Sequence, residues 1–218
     1  MSWGCSAVAD HPPLSRAILA VASALAFVAL LPLLLLHRLR FIPAYTRFVA
    51  SSSLLALVPG HAGLLLRRVW YGCTLARCGR GLGVDWLAVI RDERSEVGDH
   101  VWIGSGSVIG WCVLHDDVVT GDHVVVLSGG RQHDLERTDK PMRLQSGGKE
   151  QTSVGPDAWI GTRAVIMARV PRGCVVGAGA VVTRVAEEDS VLAGVPARVL
   201  RRRGVAGAAR DGDGVGAH

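Results

Sequence analysis

Chemistry is concentrated in one stretch, LSGGRQHDLERTDKPMRLQSGGKEQTS, residues 127 to 153, where His133 sits in the run SGGRQHD. An imidazole titrating near neutrality takes up and returns a proton at physiological pH, so His133 is the candidate general base. Gly129 and Gly130 before it allow the backbone to turn tightly. Asp134 follows directly and is the first candidate for orienting the ring. Glu136, the pair Asp116 and Asp117, or a backbone carbonyl would serve equally well. An exposed histidine in a loop is more often inert than catalytic, so position alone leaves both readings open. The five cysteines, Cys5, Cys73, Cys78, Cys112 and Cys174, form no CxxC pair and have no histidine at zinc spacing; free thiols and no metal are expected.

The elements that must hold this loop are written in a period of six. From Val97 to Val125 the chain divides into VGDHVW, IGSGSV, IGWCV, LHDDVV and TGDHVV; from Val154 to Val181 it divides into VGPDAW, IGTRAV, IMAR, VPRGCV and VGAGAV. Nearly every unit opens on an aliphatic residue, with Gly usually next. Six is the period of neither a strand nor a helix, so the pattern predicts a solenoid. Each unit supplies a short strand and a corner, and its aliphatic residue stacks on its counterpart in the next coil. Cys112 and Cys174 fall at repeat positions and read as small core residues. His100 and His123 occupy equivalent GDH corners and read as turn residues. His115 stands where Gly is usual, and Val118 and Val124 are bulky for their positions, so local distortion of the coil is expected there.

Roughly residues 79 to 203 resemble the hexapeptide-repeat acyltransferases, on the strength of many such units. Within that superfamily SGGRQHD, DAWIGTRAVIM, VVGAGAVVTR and LAGVPARVLRRR are similar to the O-acetyltransferases of sugars and cell-surface polysaccharides. The resemblance implies an all-β solenoid, a left-handed parallel β-helix of triangular section, assembled as a homotrimer. It implies acetyl-CoA as donor, no metal, a saccharide hydroxyl as acceptor, and His133 as the base that deprotonates it. It further implies a donor groove between subunits. In that groove Trp159 lies at the thioester end, the backbone around Thr162 and Ala178 meets the pantetheine amides, and Thr183 and Arg184 match a VVTK motif with Arg for Lys. Arg198 and Arg201 are placed near the nucleotide phosphates, where a guanidinium binds phosphate bidentately. A solvated basic tail is the plain alternative for Arg201 to Arg203. The γ-class carbonic anhydrases share this fold, but their metal-site motifs are not present. A serine acetyltransferase or an inactive β-helical scaffold are the remaining alternatives.

Ahead of the repeats lie twenty uncharged residues, Ala17 to Leu36, which as a helix rise about 30 Å, the thickness of a bilayer core. Pro32 kinks such a helix, so a buried helix or re-entrant segment competes with a span. Arg16 alone precedes it, whereas Arg38, Arg40, Arg47, Arg67 and Arg68 follow, which orients the rest of the chain to the cytoplasmic face of a bacterial inner membrane; without a span the chain is cytoplasmic. The expected organisation is an N-terminal segment over 1–40 with a membrane helix over 17–36. Residues 41–80 follow as short helices, either capping the solenoid or lying against the membrane with Arg67 and Arg68 toward the lipid. The β-helix occupies 81–203 with its inserted loop at 127–153, and a disordered tail covers 204–218.

Composition agrees. The 218 residues are 49% hydrophobic with a formal charge of +5, and only Lys140 and Lys149 of the 24 basic residues are lysines. No basic run alternates with stacking aromatics, so a nucleic-acid partner is not expected.

Overall fold

The computed structural model describes residues 13–38, 43–130, 132–133 and 137–204. Three helices come first: α1 (Pro13–Arg38), α2 (Ala44–Ala56) and α3 (Gly60–Thr74). Sixteen short strands follow: β1 (Arg77–Cys78), β2 (Gly83–Val84), β3 (Val89–Ile90), β4 (Glu96–Val97), β5 (Trp102–Ile103), β6 (Val108–Ile109), β7 (Cys112–Leu114), β8 (Val119–Thr120), β9 (Val125–Val126), β10 (Thr152–Val154), β11 (Trp159–Ile160), β12 (Val165–Ile166), β13 (Val175–Val176), β14 (Val181–Val182), β15 (Ser190–Ala193) and β16 (Arg198–Arg202).

They form three parallel sheets that wind as a left-handed β-helix. The first sheet is β1-β4-β7-β10, the second β2-β5-β8-β11-β13-β15 with β16 added antiparallel at its end, and the third β3-β6-β9-β12-β14. In the second sheet the column Gly83, Trp102, Val119, Trp159, Val175, Val191 spaces its rungs by 16 to 19 residues. The one exception is the step from Val119 to Trp159, which takes 40 and contains the loop.

Inside, the unit-opening residues stack as ladders: Val84, Ile103, Ile160 and Val176 along one wall, and Ile90, Ile109, Val126, Ile166 and Val182 along another, none more than 1% exposed. Cys112 and Cys174 are buried among them. At the corners His100 and His123 adopt φ of 57° and 55°, a left-handed turn conformation that asparagine, aspartate and histidine tolerate better than branched residues do. The distortion expected near His115 does not occur: Val118 and Val124 are fully buried, and β7 pairs in register with β4 and β10. Val124 stands between Ser107 and Ala164 in the neighbouring rungs, and Val118 between Val101 and Ala158, so each valine has a small residue on at least one side.

An open end of a β-helix presents unpaired backbone groups, a liability for any sheet edge. Here α3 covers it with side chains. Arg68 Nε donates to Leu82 O (2.6 Å), Arg67 Nε donates to Val84 O (2.8 Å), and the Tyr71 hydroxyl accepts from Ile90 N–H (3.0 Å). Arg67 Nη1 also donates to Leu55 O and Val58 O at the end of α2. The pair Arg67 and Arg68 therefore points into the coil and not toward a lipid surface; Arg67 is wholly buried. Carbonyls that no neighbouring coil can satisfy draw the guanidinium inward.

α1 packs along this cap through Ala26, Leu30, Leu33, Leu34 and His37, the last against Trp70 with ring centroids 5.4 Å apart. Its opposite stripe, Ile18, Val21, Leu25, Val28 and Leu35, is 61 to 66% exposed. Of the expected tail over 204–218, only Gly204 falls within the described residues.

Candidate active site

The loop leaves the solenoid at the corner between the third and first sheets, and its base is clamped. Thr152 Oγ1 donates to Leu127 O (2.6 Å) and accepts from Gly129 N–H (3.0 Å). Glu150 N–H reaches Ser128 O (3.0 Å), and Ser128 Oγ accepts from Trp111 N–H (2.8 Å) in the coil below. Gly129 sits at φ +79°, where a side chain is strained. The far end is held by a 3-10 turn, Met142–Leu144, and by the Gln145 amide, which donates to Arg137 O (2.7 Å) and Lys140 O (2.9 Å).

Between base and tip the outgoing arm carries His133, exposed, at the wall of a hollow of about 260 Å³ lined by Leu127, Gly129, Gly130, Gln132, His133 and Met142. The returning arm passes beneath it. A Cβ on Gly147 would stand 2.6 Å from His133 Cα and closer still to Gln132 O, so only glycine fits. Nothing in the repeat pattern pointed to Gly147, because its role depends on two loop arms meeting.

Asp134 and Glu136 lie outside the described residues. Asp116 and Asp117 sit at the corner between the first and second sheets, where Asp116 Oδ1 accepts from Asp99 N–H (2.8 Å). They therefore occupy the opposite edge of the first sheet from the loop and do not orient His133 within one chain.

The expected donor residues are all exposed but are distributed over the prism. Thr183 and Arg184 share the edge of His133: Leu127 N–H bonds Ile166 O and Met167 N–H bonds Val182 O, so the loop base and Thr183 stand in one column of corners. Thr162 and Ala178 lie on the edge between the second and third sheets, stacked on Gly121 and Gly161. Trp159, 55% exposed, is in β11, and Arg198 and Arg201 are in β16, both on the second sheet. β16 makes these arginines part of an antiparallel strand, in which they remain solvated. One chain alone thus places Trp159 on the second sheet and His133 at the corner between the third and the first.

The same edge continues below the loop toward the helical cap, and three cations gather there. Arg94 grips both oxygens of Asp92 (2.9 and 2.7 Å) and covers the Trp111 ring at 4.1 Å. Burial pushes the Asp92 carboxyl up, but the hydrogen bonds from Arg94, with help from Lys149, hold it below its ordinary value. Arg91 Nη2 meets the Tyr45 hydroxyl (3.2 Å), and Lys149 Nζ lies 4.6 Å from the centre of the same ring.

The thiols are unsuited to nucleophilic work. Burial pushes Cys112 up to about 12 and Cys78 up to about 11, and it raises Cys174 and Cys73 as well. Among the described residues no three of His, Cys, Asp and Glu gather as a metal site.

Comparison with known proteins agrees with this architecture. A family model described as the hexapeptide repeat of succinyl-transferase matches residues 151–184. A Mycobacterium tuberculosis protein named as a probable acetyltransferase is 30% identical over 112 residues, 49% of this chain; the chain spans 36% of that relative's length. Among solved structures, a maltose O-acetyltransferase from Clostridium difficile 630 superposes with a TM-score of 0.61 at 17% identity, over 74% of this chain and 89% of that one. A hexapeptide-repeat-containing acetyltransferase from Vibrio cholerae, complexed with acetyl coenzyme A, gives 0.62 at 21% identity, over 76% and 91%.

Proposed function

We propose that this chain, a β-helix of hexapeptide repeats with the fold of the acetyltransferases just described, is an acetyl-CoA-dependent O-acetyltransferase acting on a saccharide hydroxyl. The observation that carries the reading is His133, exposed at the wall of a hollow on a loop clamped at both ends.

In the reaction both substrates are bound together. His133 removes the proton of the attacking hydroxyl as its oxygen adds to the thioester carbonyl. Backbone N–H groups of the groove stabilise the oxyanion. The tetrahedral adduct collapses to the ester, the carbon–sulfur bond breaks, and the proton held by the imidazole passes to the departing coenzyme A sulfur. Asp134 is the proposed orienting partner of His133. No cysteine takes part, in keeping with thiols that burial keeps protonated.

Trp159, Thr162, Ala178, Arg198 and Arg201 are proposed to bind coenzyme A from the faces that a second subunit brings to the edge of His133, with Thr183 and Arg184 supplied by the same edge. A homotrimer meets that requirement. Membrane association is proposed through α1, whose outer stripe from Ile18 to Leu35 is apolar and exposed among the described residues. The proposed acceptor is accordingly a cell-surface polysaccharide or a lipid-linked sugar precursor at the cytoplasmic leaflet.

The deciding experiment measures thiol release from acetyl-CoA against a panel of sugars and solubilised lipid-linked saccharides, comparing wild type with His133→Ala. Turnover that falls by about 10² or more in the variant, with coenzyme A binding retained, supports the reading. Turnover that survives removes His133 from the mechanism, and a protein that neither turns over nor binds coenzyme A is a scaffold.

A further inference from the structure

Arg91 and Lys149 are 58 positions apart in the chain, yet both converge on Tyr45, and neither forms an ion pair among the described residues. Two cations brought to one ring repel each other, and a protein keeps such an arrangement when an anion belongs between them. Of the acids nearby, Glu150 follows Lys149 directly but forms no ion pair with it, its carboxylate lying beside Gly129, and the others are engaged elsewhere. Asp92 holds Arg94 with both oxygens, Glu93 meets His37 at 3.4 Å, and α2 has no acidic residue in its first turn. Lys149 also acts on Asp92 at a distance, without forming an ion pair with it.

The place of this pair on the prism decides what the anion is attached to. Arg91, Trp111 and Leu127 are successive corners of the edge that bears the loop. Arg91 is two rungs from Leu127, about 10 Å at the spacing of neighbouring strands. Lys149 is closer, two residues along the returning arm from Gly147, hence within about 7 Å of the glycine that lies against His133. A third feature of the same corner has an unmet need: the Trp111 Nε1–H is buried without an acceptor among the described residues.

We infer that Arg91 and Lys149, set around Tyr45, form an anion subsite for the acceptor, and that the acceptor is a phosphate or diphosphate ester of a saccharide. Tyr45 offers an aromatic surface beside it, and His133 stands on the same edge. The subsite is on the helical-cap side of His133, whereas Thr183 and Arg184 of the donor groove are on the other side, so the two anionic substrates approach from opposite directions. This assignment rests on the acetyl-transfer reading for the identity of the attached group, but the presence of the anion subsite does not.

Pyrophosphate is the probe, titrated calorimetrically into full-length protein saturated with coenzyme A so that the donor site contributes nothing. The expected result is binding that weakens 10-fold or more in the Arg91→Ala, Lys149→Ala double variant and is unchanged in Arg80→Ala, an exposed arginine on another edge. Unfolding midpoints of the variants are compared with wild type, and Lys149→Glu alone is tested as well, since reversing one exposed charge should abolish binding without altering the fold. No binding by wild type, or equal binding by the double variant, overturns the subsite.

The source of the ester is resolved by two acceptors, a nucleoside diphosphate sugar and a polyprenyl diphosphate sugar in detergent. The one whose KM for acetylation rises 10-fold in the double variant is the source. A rise equally large for a neutral oligosaccharide overturns the phosphate assignment. If pyrophosphate binds as expected while no acceptor is acetylated, the subsite stands and the acetyl-transfer reading falls; if His133-dependent transfer proceeds while the titration is flat, the reverse holds.

Discussion

Gly147 and His133 are in direct backbone contact: a Cβ on the glycine would stand 2.6 Å from the histidine Cα. The returning arm of the loop therefore sets the height of the outgoing arm, and through it the position of the imidazole. Gly147→Ala should lift His133 by a fraction of an ångström to an ångström. Displacements of that size cost up to about 10²-fold in rate. The expected outcome is a lower kcat with unchanged coenzyme A affinity and at most a modest fall in the unfolding midpoint, read by steady-state kinetics and calorimetry. A kcat equal to wild type would show that the loop carries His133 independently of its return.

Arg67 is the bond between the cap and the solenoid. Its guanidinium serves Val84 O, Leu55 O and Val58 O at 2.7 to 2.9 Å, and it is fully buried. Arg67→Met keeps bulk but takes the guanidinium from Val84 O and Val58 O, each worth about 1 to 3 kcal/mol when left without a donor, while Leu55 O keeps the Val58 N–H. A loss of about 3 kcal/mol or more in chemical denaturation is expected. Arg67→Lys should fail to restore it, because one ammonium cannot reach both the coil and the end of α2.

Stability should respond to acid through Asp92. Its carboxyl is held below the ordinary value by Arg94, against burial, which works the other way. A depressed carboxylate stabilises the fold at any pH above its unfolded value of about 3.9, and that contribution disappears as pH falls through the lower folded value. Thermal unfolding of wild type and Asp92→Asn should therefore differ at pH 7 and converge below about pH 4. A constant difference across that range would assign the effect to packing alone.

Thiol reagents should leave turnover intact at neutral pH. With Cys112 pushed up to about 12, Cys78 up to about 11 and Cys174 raised, these groups stay protonated until well above neutrality, and the thiolate is the reactive form. Iodoacetamide at pH 7.5, about three pH units or more below the two highest values, tests this by activity and mass spectrometry. Loss of activity in step with labelling of Cys112 or Cys174 would contradict the proposed direct transfer.

The outer stripe of α1 can be tested without disturbing its inner one. Deleting the helix would strip the cap, because Leu30, Leu33 and Leu34 pack on its core. Leu25→Glu with Val28→Glu alters only side chains that are 66% and 64% exposed. Two charges in the apolar stripe should move the protein from the membrane to the soluble fraction on sedimentation, with its circular dichroism unchanged. Retention in the membrane pellet would mean that another surface holds it there.

Much of the solenoid was legible because hexapeptide order is local. The five-residue unit IGWCV and the four-residue unit IMAR reappear as rungs shortened to 17 residues between Trp102 and Val119 and to 16 between Trp159 and Val175. His133 stood out for the same reason, as a histidine where the period stops. The distortion expected at His115, Val118 and Val124 did not arise, since a rung's fit depends on its neighbours and not on its own residue alone.

Sequence by itself determined the period, the interior ladders and the loop that interrupts them, because each follows from residues within six positions of one another. Tertiary structure alone decided that Arg67 turns inward to cap an open sheet edge, that Asp116 and Asp117 lie on the wrong edge for His133, and that Gly147 seats it. It alone brought Tyr45, Arg91 and Lys149 to one corner. Such contacts join residues that are tens of positions apart, and no local pattern encodes which carbonyl will lack a partner, or which cation an anion, until the coils have stacked.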